Sequence, residues 1–472
     1  MNLAWLGNRL WQASSAPEAW RFWRDSHRLR TVQLSLFDQV LGRQAPTRFG
    51  RALGMERLRG YDDFCQAVPL QSYESLLPYL PDQGLSCEPV RVWEPTGGST
   101  GGSKFIPWTA SLQAEFRRAV AVWCWHLLGN HPGLVGGRSY WQLTPKAEVE
   151  APSWLQGRSG FESDGDYLGP LGRWLERLAL LGPEGQGEFW KRTVHTLRGA
   201  RDLRLISCWS PSFLLCLQGH FLRLLGEWDP GRWWPELQLI SCWTSGSSAP
   251  YVRVVEGLFP GVRLQPKGLL STECVATVPL GELYPLAYRS HFFELLDETG
   301  EVLPAWRWET GLLGRLVVST GSGFTRYDTG DRVRVTGRWR GVPCLEFLGR
   351  HATVDHHGEK LSHAFLQAVL EGASGFTMFA YEDGGYVLFT SAESGLRGEQ
   401  VEAALLRSFT YRDARGLGQL GPLRLFRVEG DAFAQYSAAC VARFGQREGT
   451  VKALPYHPSG EWSRLFQGRF EA

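Results

Sequence analysis

Apolar positions recur at 3.6-residue spacing through "WRFWRDSHRLRTVQLSLFDQVLGR", and the surrounding segment, residues 15 to 60, is predicted to be helical up to a glycine-rich stop. The pattern then changes. "EPVRVWE" (88–94) alternates and predicts a strand, "KFIPW" resumes extended chain, and "TASLQAEFRRAVAVWCWHLLGN" (109–130) predicts a helix with Thr109 or Ser111 as its N-cap. The stretch "EPTGGSTGGSKFIPWT" (94–109) therefore puts a glycine-rich loop between two extended segments, just ahead of a helix.

Further along, "LRLISCW" (203–209) is echoed by "LQLISCW" (237–243), each a short apolar run suited to a buried strand. The run between them, "PSFLLCLQGHFLRLLGEW", is helical in pattern, so the unit reads β-α-β with parallel strands. A helix, "YVRVVEGLFPG", and a third strand, "VRLQPKG", follow the second copy. In a parallel sheet the loops at the carboxyl ends of the strands form the ligand crevice. The loops "SPS" (210–212), "TSGSS" (244–248) and "STE" (271–273) are thus expected at one edge, where Thr244, Ser245 and Gly246 become candidates for contact with a ligand.

From residue 284 to 348 the chain changes to short strands with Gly and Pro turns: "HFFELLD", "GRLVVST", "DRVRVTG", "CLEFLG". Beyond Gly349 and Arg350 the pattern is hairpin, helix, strand, helix, a small α+β unit of about 120 residues. The expected fold is α/β: a large N-terminal domain (1–349) with mainly parallel sheets flanked by helices plus a β-barrel-like part, and a small mobile α+β C-terminal domain (350–472), hinged near residues 348–352.

Composition narrows the function. The 472 residues are 43% hydrophobic and 21% charged with a net charge of +2, which gives no electrostatic surface for nucleic acid or anionic lipid and favours a small metabolite as partner. No stretch reads as a signal peptide or membrane span, and nine cysteines without a CxxC pair read as small buried hydrophobes in a reducing cytoplasm. The 50 basic residues include only six lysines, so a motif that demands lysine is seldom met by chance.

The glycine-rich loop is not a Walker loop, because Ser103 stands where lysine should and Phe105 where Ser or Thr should. A flexible turn is the commoner meaning of TGGSTGG, yet glycine-freed N-H groups, the hydroxyls of Ser99 and Thr100 and the cation of Lys104 would suit a polyphosphate. Glu273 in "LLSTEC", if at the sheet edge, suits Mg2+, which prefers one or two carboxylates plus phosphate oxygens. Asp328 and Asp331 in "RYDTGDRVRV" would by themselves mark a β-turn before a strand. His351, Asp355, His356, His357, Glu359 and His363 fit no zinc spacing and are expected to be solvated. Trp141, Tyr140 and Trp243 are candidates for a ligand pocket, although with 21 tryptophans in the chain a given one is more often core.

Taken in order, these pieces resemble the adenylate-forming superfamily, and more closely the auxin-responsive acyl acid amido synthetase family with its bacterial relatives. The resemblance rests on "QVLGRQAPTRFGRALG", "YDDFCQAVPLQSYESLLPYL", "GGSTGGSKFIPWT", "SCWTSGSSAPYV", "LLSTEC", "YDTGD", "FLGR", "GEKLS" and "GTVKALP". It implies that Thr96, Gly98, Ser99, Thr100, Gly101 and Lys104 hold the β and γ phosphates of ATP. Glu273 would meet Mg2+ with Ser271 and Thr272 beside the nucleotide and acyl phosphate; Asp331 and Arg350 would reach the ribose; Lys452 would swing in for adenylation. Departures are Gly97 in place of a hydroxyl, Leu269 in place of a tyrosine, and aspartate in "YDTGD" where arginine is common.

The resulting expectation is a monomeric cytoplasmic ligase. It would use ATP and Mg2+ to adenylate a carboxylic acid, then transfer the acyl group to an amine or amino acid. The alternatives are an acyl-CoA or carrier-thiol ligase that forms the same adenylate, and a nucleotide-binding homologue without catalysis.

Overall fold

The computed structural model describes residues 3–95, 104–141, 152–155, 159–161, 178–182, 188–350, 353–354, 356–357, 359, 361–416, 418–446, 449, 451–458 and 461–471. The predicted N-terminal helical region is two long helices, Leu3–Asp25 and Leu29–Gln44, followed by the short helix Arg48–Ala52. Strands Val92–Pro95 and Phe105–Trp108 form an antiparallel hairpin with Pro95 opposite Phe105. The glycine-rich loop, residues 96–103, connects them in sequence and lies outside the described residues. Helix Ala110–Asn130 follows, and Thr109 is its N-cap: the Thr109 hydroxyl accepts from Leu112 N at 3.2 Å. Ser111, the other candidate, instead donates its backbone N-H to the carboxylate of Glu88 at 2.9 Å.

The echoed β-α-β unit is present as Leu203–Ser207, helix Ser212–Leu225 and Leu239–Cys242, with the strands parallel. Gly226, at φ +76°, closes that helix in the left-handed conformation a side chain would resist. The full sheet has five parallel strands in the order Leu180–Leu181, Arg138–Trp141, Leu203–Ser207, Leu239–Cys242, Arg263–Pro266. Side chains alternate between its faces. Leu205 and Leu239 join the large N-terminal core, while Ile206 and Ile240 join a second core under helix Ser212–Leu225. Burial on both faces explains why these strands read as unbroken apolar runs.

A second sheet is antiparallel, ordered Val342–Arg350, Tyr327–Trp339, Leu313–Ser319, Phe292–Asp297, Val302–Pro304. Here one expectation is corrected. "YDTGD" is not a turn ahead of a strand but the start of the long strand Tyr327–Trp339. A shift in register between Arg315 and Val317 of the neighbouring strand accommodates it, with Gly330 at φ +73°.

After Arg350 the chain builds a third, mixed sheet: Tyr456–His457, Thr377–Glu382, Gly385–Ser391, Arg424–Val428, Gly468–Phe470. Its two faces feed separate cores, one with Phe379, Leu388 and Leu425, the other with Met378, Phe389 and Phe426. The second core reaches the N-terminal part through Tyr251, whose ring meets Phe433 edge-on at 5.4 Å. Gly449, at φ +81°, lies so close to Phe213 that a Cβ would come within 2.9 Å of the ring. Gly449 is thereby seated against the start of the helix Ser212–Leu225.

The histidine group is only partly solvated. His356 and His357 are exposed, and each meets a tyrosine hydroxyl at 2.7 Å, Tyr456 and Tyr381 respectively. Glu359 is fully buried, accepting from the backbone N-H groups of His356 and His357 and from Tyr386. His363 is buried as well, and desolvation lowers its pKa to about 4. His351 and Asp355 lie outside the described residues. All nine cysteines are free thiols; Cys87 is exposed and Cys65 and Cys216 are half-buried, so the expectation of buried cysteines holds for the other six.

Candidate active site

The carboxyl ends of the central parallel strands are tied together past their last paired residues. Cys208 N donates to Ser241 O at 3.0 Å, Trp243 N to Trp209 O at 2.9 Å, and Lys267 N to Cys242 O at 3.0 Å. These bonds fix the roots of the loops that follow. Thr244 and Ser245 lie immediately after the strand Leu239–Cys242, and Gly246 begins the short 3-10 turn Gly246–Tyr251. The third loop is a tight turn in which Ser271 N donates to Cys274 O at 2.9 Å. It holds Ser271 and Thr272 half-buried and Glu273 buried, 5% exposed.

The antiparallel sheet contributes a facing pair. Asp331 and Arg350 are partners across the ladder, and Arg350 Nε donates to Asp331 Oδ1 at 3.2 Å. Asp331 is buried, while the Arg350 side chain is 44% exposed on the cleft side. Burial raises the pKa of the Asp331 carboxyl; Arg350 opposes that shift and the nearby Glu273 adds to it. The Arg350 guanidinium is in turn raised, first by Asp331.

Lys452 completes the group from the C-terminal sheet region. Its backbone carbonyl accepts from Tyr436 OH at 3.1 Å, between the buried Val451 and Ala453. The side chain leaves that core, and Nζ sits 4.0 Å from the centre of the Trp243 ring. The ammonium pKa is lowered to about 8, first by desolvation and then by Arg350, against the opposing pull of Asp331 and Glu273. Two carboxylates and two cations, drawn from three parts of the fold, thus share one field.

Lys104 stands at the mouth of the hairpin. Its Nζ lies 5.4 Å from the Tyr73 ring, and Tyr73 OH accepts from Phe105 N at 2.8 Å, so one tyrosine both orients the strand start and faces the cation. The segment before Tyr73 is joined to the Asp331 strand: Gln71 N donates to Arg326 O at 2.8 Å and Asp328 N to Gln71 O at 2.9 Å. Thr96, Gly98, Ser99, Thr100 and Gly101 are outside the described residues.

Beside this cleft is an apolar pocket. Phe116, Val120, Trp123, Trp141, Trp209 and Val278 contribute to its wall. Trp141 therefore lines it as expected, but Tyr140 points through the sheet into the second core, where it stacks on Phe213 at 5.8 Å. The pleat sends adjacent residues to opposite faces. Trp243 is not among the lining residues; it forms the floor under Lys452 and touches Trp209, with ring centres 5.8 Å apart. Sequence reasoning overlooked Tyr73, Trp209 and Lys267. Lysine scarcity was the available signal for Lys267.

Three five-stranded sheets among the described residues, a parallel edge loaded with polar loops and a lysine brought from the C-terminal region make a fold matched nearly end to end by solved acyl acid amido synthetases. A GH3.15 acyl acid amido synthetase in complex with 2,4-DB aligns with TM-score 0.80 at 17% identity, covering 98% of this chain and 97% of that one. A second GH3.15 structure gives 0.79 at 18% identity, covering 96% of each chain. Residues 20–167 match the GH3 family N-terminal domain and residues 284–350 the GH3 family central domain. Among curated relatives, indole-3-acetic acid-amido synthetase GH3.8 of Oryza sativa subsp. indica is 23% identical over 73% of this chain and 70% of its own length. Probable indole-3-acetic acid-amido synthetase GH3.1 of Arabidopsis thaliana is likewise 23% identical, with the same coverage. No helix among the described residues is long and apolar enough to cross a membrane.

Proposed function

We propose that this chain is an ATP-dependent acid-amino acid ligase. A carboxylate oxygen of the acid attacks the α-phosphorus of ATP, the bond to pyrophosphate breaks, and an acyl adenylate forms. The amine nitrogen of an amino acid then attacks the acyl carbon, AMP leaves, and the nitrogen gives up a proton. The observation that carries this reading is the convergence of Glu273, Asp331, Arg350 and Lys452 beside an apolar pocket.

The first step brings anions together, so positioning and charge neutralisation are the chemistry the protein must supply. In this reading Lys452 meets the charge at the reacting phosphate, and Lys104 with Thr96, Gly98, Ser99, Thr100 and Gly101 grips the pyrophosphate side. Asp331 and Arg350 receive the ribose, and Thr244, Ser245, Gly246, Ser271 and Thr272 border the nucleotide and acyl phosphate. Glu273 offers one buried carboxylate at this edge, a donor set that fits Mg2+ shared with phosphate oxygens rather than an all-protein cage. Mg2+ bound there would offset phosphate charge. The unit from residue 350 onward would turn about residues 348–352 between the two steps.

The test is ATP-pyrophosphate exchange across a panel of carboxylic acids, with mass spectrometry of products made from added amino acids or CoA. Exchange with amide products is expected. CoA thioesters without amides would transfer the chain to the thiol ligases. No exchange with any acid, with ATP binding unchanged in Lys104→Ala, would leave a nucleotide-binding protein without catalysis.

A further inference from the structure

The apolar pocket contains one charged side chain among its described lining residues, Lys267. Lys267 follows the strand Arg263–Pro266, and its side chain crosses the end of the neighbouring strand to donate from Nζ to Ser207 Oγ, one strand further, at 2.6 Å. The rings of Trp123 and Trp209 each lie 5.1 Å from the ammonium. A hydroxyl and two indole faces hold the cation at a defined place in the wall.

This cation is distinct from those of the cleft. Glu273, Asp331, Arg350 and Lys452 act on one another. Lys267 acts on the thiols of Cys124, Cys208 and Cys242, and Cys208 itself lines the pocket. The two places are nonetheless contiguous: Leu270 of the pocket precedes Ser271 of the third loop, and Trp209 touches the Trp243 floor beneath Lys452. A ligand whose reacting carboxylate lies in the cleft would have its body in the pocket and meet Lys267 there.

A pocket walled mainly by indoles and aliphatic groups, with one charged donor held in its described wall, orients ligands that are apolar, flat and equipped with a matching acceptor. Resting on the ligase reading above, we propose that Lys267 selects the acid: the substrate is a flat apolar carboxylic acid bearing a second acceptor group, a hydroxyl or a second carboxylate, that accepts from Lys267 Nζ. A hydrogen bond to a charged donor discriminates by about tenfold or more against the analogue that lacks the acceptor.

Matched pairs test this: benzoate against 3- and 4-hydroxybenzoate and isophthalate, assayed by pyrophosphate exchange and by quenching of tryptophan fluorescence on the full chain. Wild type is expected to prefer at least one acceptor-bearing acid over benzoate by about tenfold or more in kcat/KM. Lys267→Met should collapse that ratio, and Lys267→Arg should restore part of it. A wild-type ratio at or below one for every pair overturns the proposal, whether or not the variant folds. Equal loss for both members of a pair in Lys267→Met also overturns it, since Lys267 would then serve the reacting end. Tighter binding of acceptor-bearing acids without any exchange would support the selector while removing the ligase reading.

Discussion

Two arginine-carboxylate pairs on the antiparallel sheet look alike in sequence and differ in kind. Glu294 and Arg326 are both almost fully buried, and their hydrogen bonds are closed. Glu294 accepts from Arg326 Nε at 3.2 Å and Tyr61 OH at 2.8 Å, while Arg326 Nη1 donates to Cys65 O at 3.1 Å and Val68 O at 2.6 Å. Asp331 and Arg350 share one 3.2 Å contact, with a second carboxylate, Glu273, and a second cation, Lys452, in the same field and the Arg350 side chain open to the cleft. A charge pair whose partners are all internal locks strands and loops together. A group of charges left facing a cleft is arranged for a charged ligand.

That contrast can be broken by mutation. Arg326→Ala should have the largest effect, about 3–5 kcal/mol of lost stability, because it strands the buried Glu294 carboxylate. A urea titration reads the loss, and a small shift accompanied by abolished exchange would invert the comparison.

Lys452→Ala is expected to lower the adenylation rate by roughly 10²–10³, as loss of one preorganised charge donor does, with the urea midpoint nearly unchanged. Because the Lys452 pKa is lowered to about 8, its cation is present below that pH and lost above it. The kcat/KM for pyrophosphate exchange should therefore fall as pH rises through about 8, and Lys452→Arg should move the limb upward. A flat profile to pH 9 in wild type would exclude Lys452 as the titrating group.

The smallest effect is expected for Asp331→Asn: KM for ATP should rise by about tenfold, with a stability change within about 1 kcal/mol since Arg350 is half-solvated. Measured together, KM and the urea midpoint decide whether this pair serves a ligand or the sheet.

Much of this arrangement was legible in the residues. The apolar runs Leu203–Ser207 and Leu239–Cys242 read as parallel strands because both of their faces are buried, and from them the edge position of Glu273 followed. Other features were not legible. Arg138–Trp141 and Leu180–Leu181 are too short to show a period, so the sheet is wider than the pattern implied. Asp331 read as a turn residue because the register shift opposite it is a property of the neighbouring strand.

The sequence by itself determined the local elements, the loops that follow each parallel strand and the scarcity that makes each lysine informative, since these depend on residues close together along the chain. Only the tertiary structure decided which charges meet. Glu273, Asp331 and Lys452 come from a loop, a strand and the C-terminal sheet region, and they share a field only where these distant segments pack together. Tertiary packing likewise set Tyr140 in the core and Trp141 in the pocket, and carried Lys267 across two strands into an apolar wall. Contacts between distant segments depend on packing and register, which no local spacing encodes.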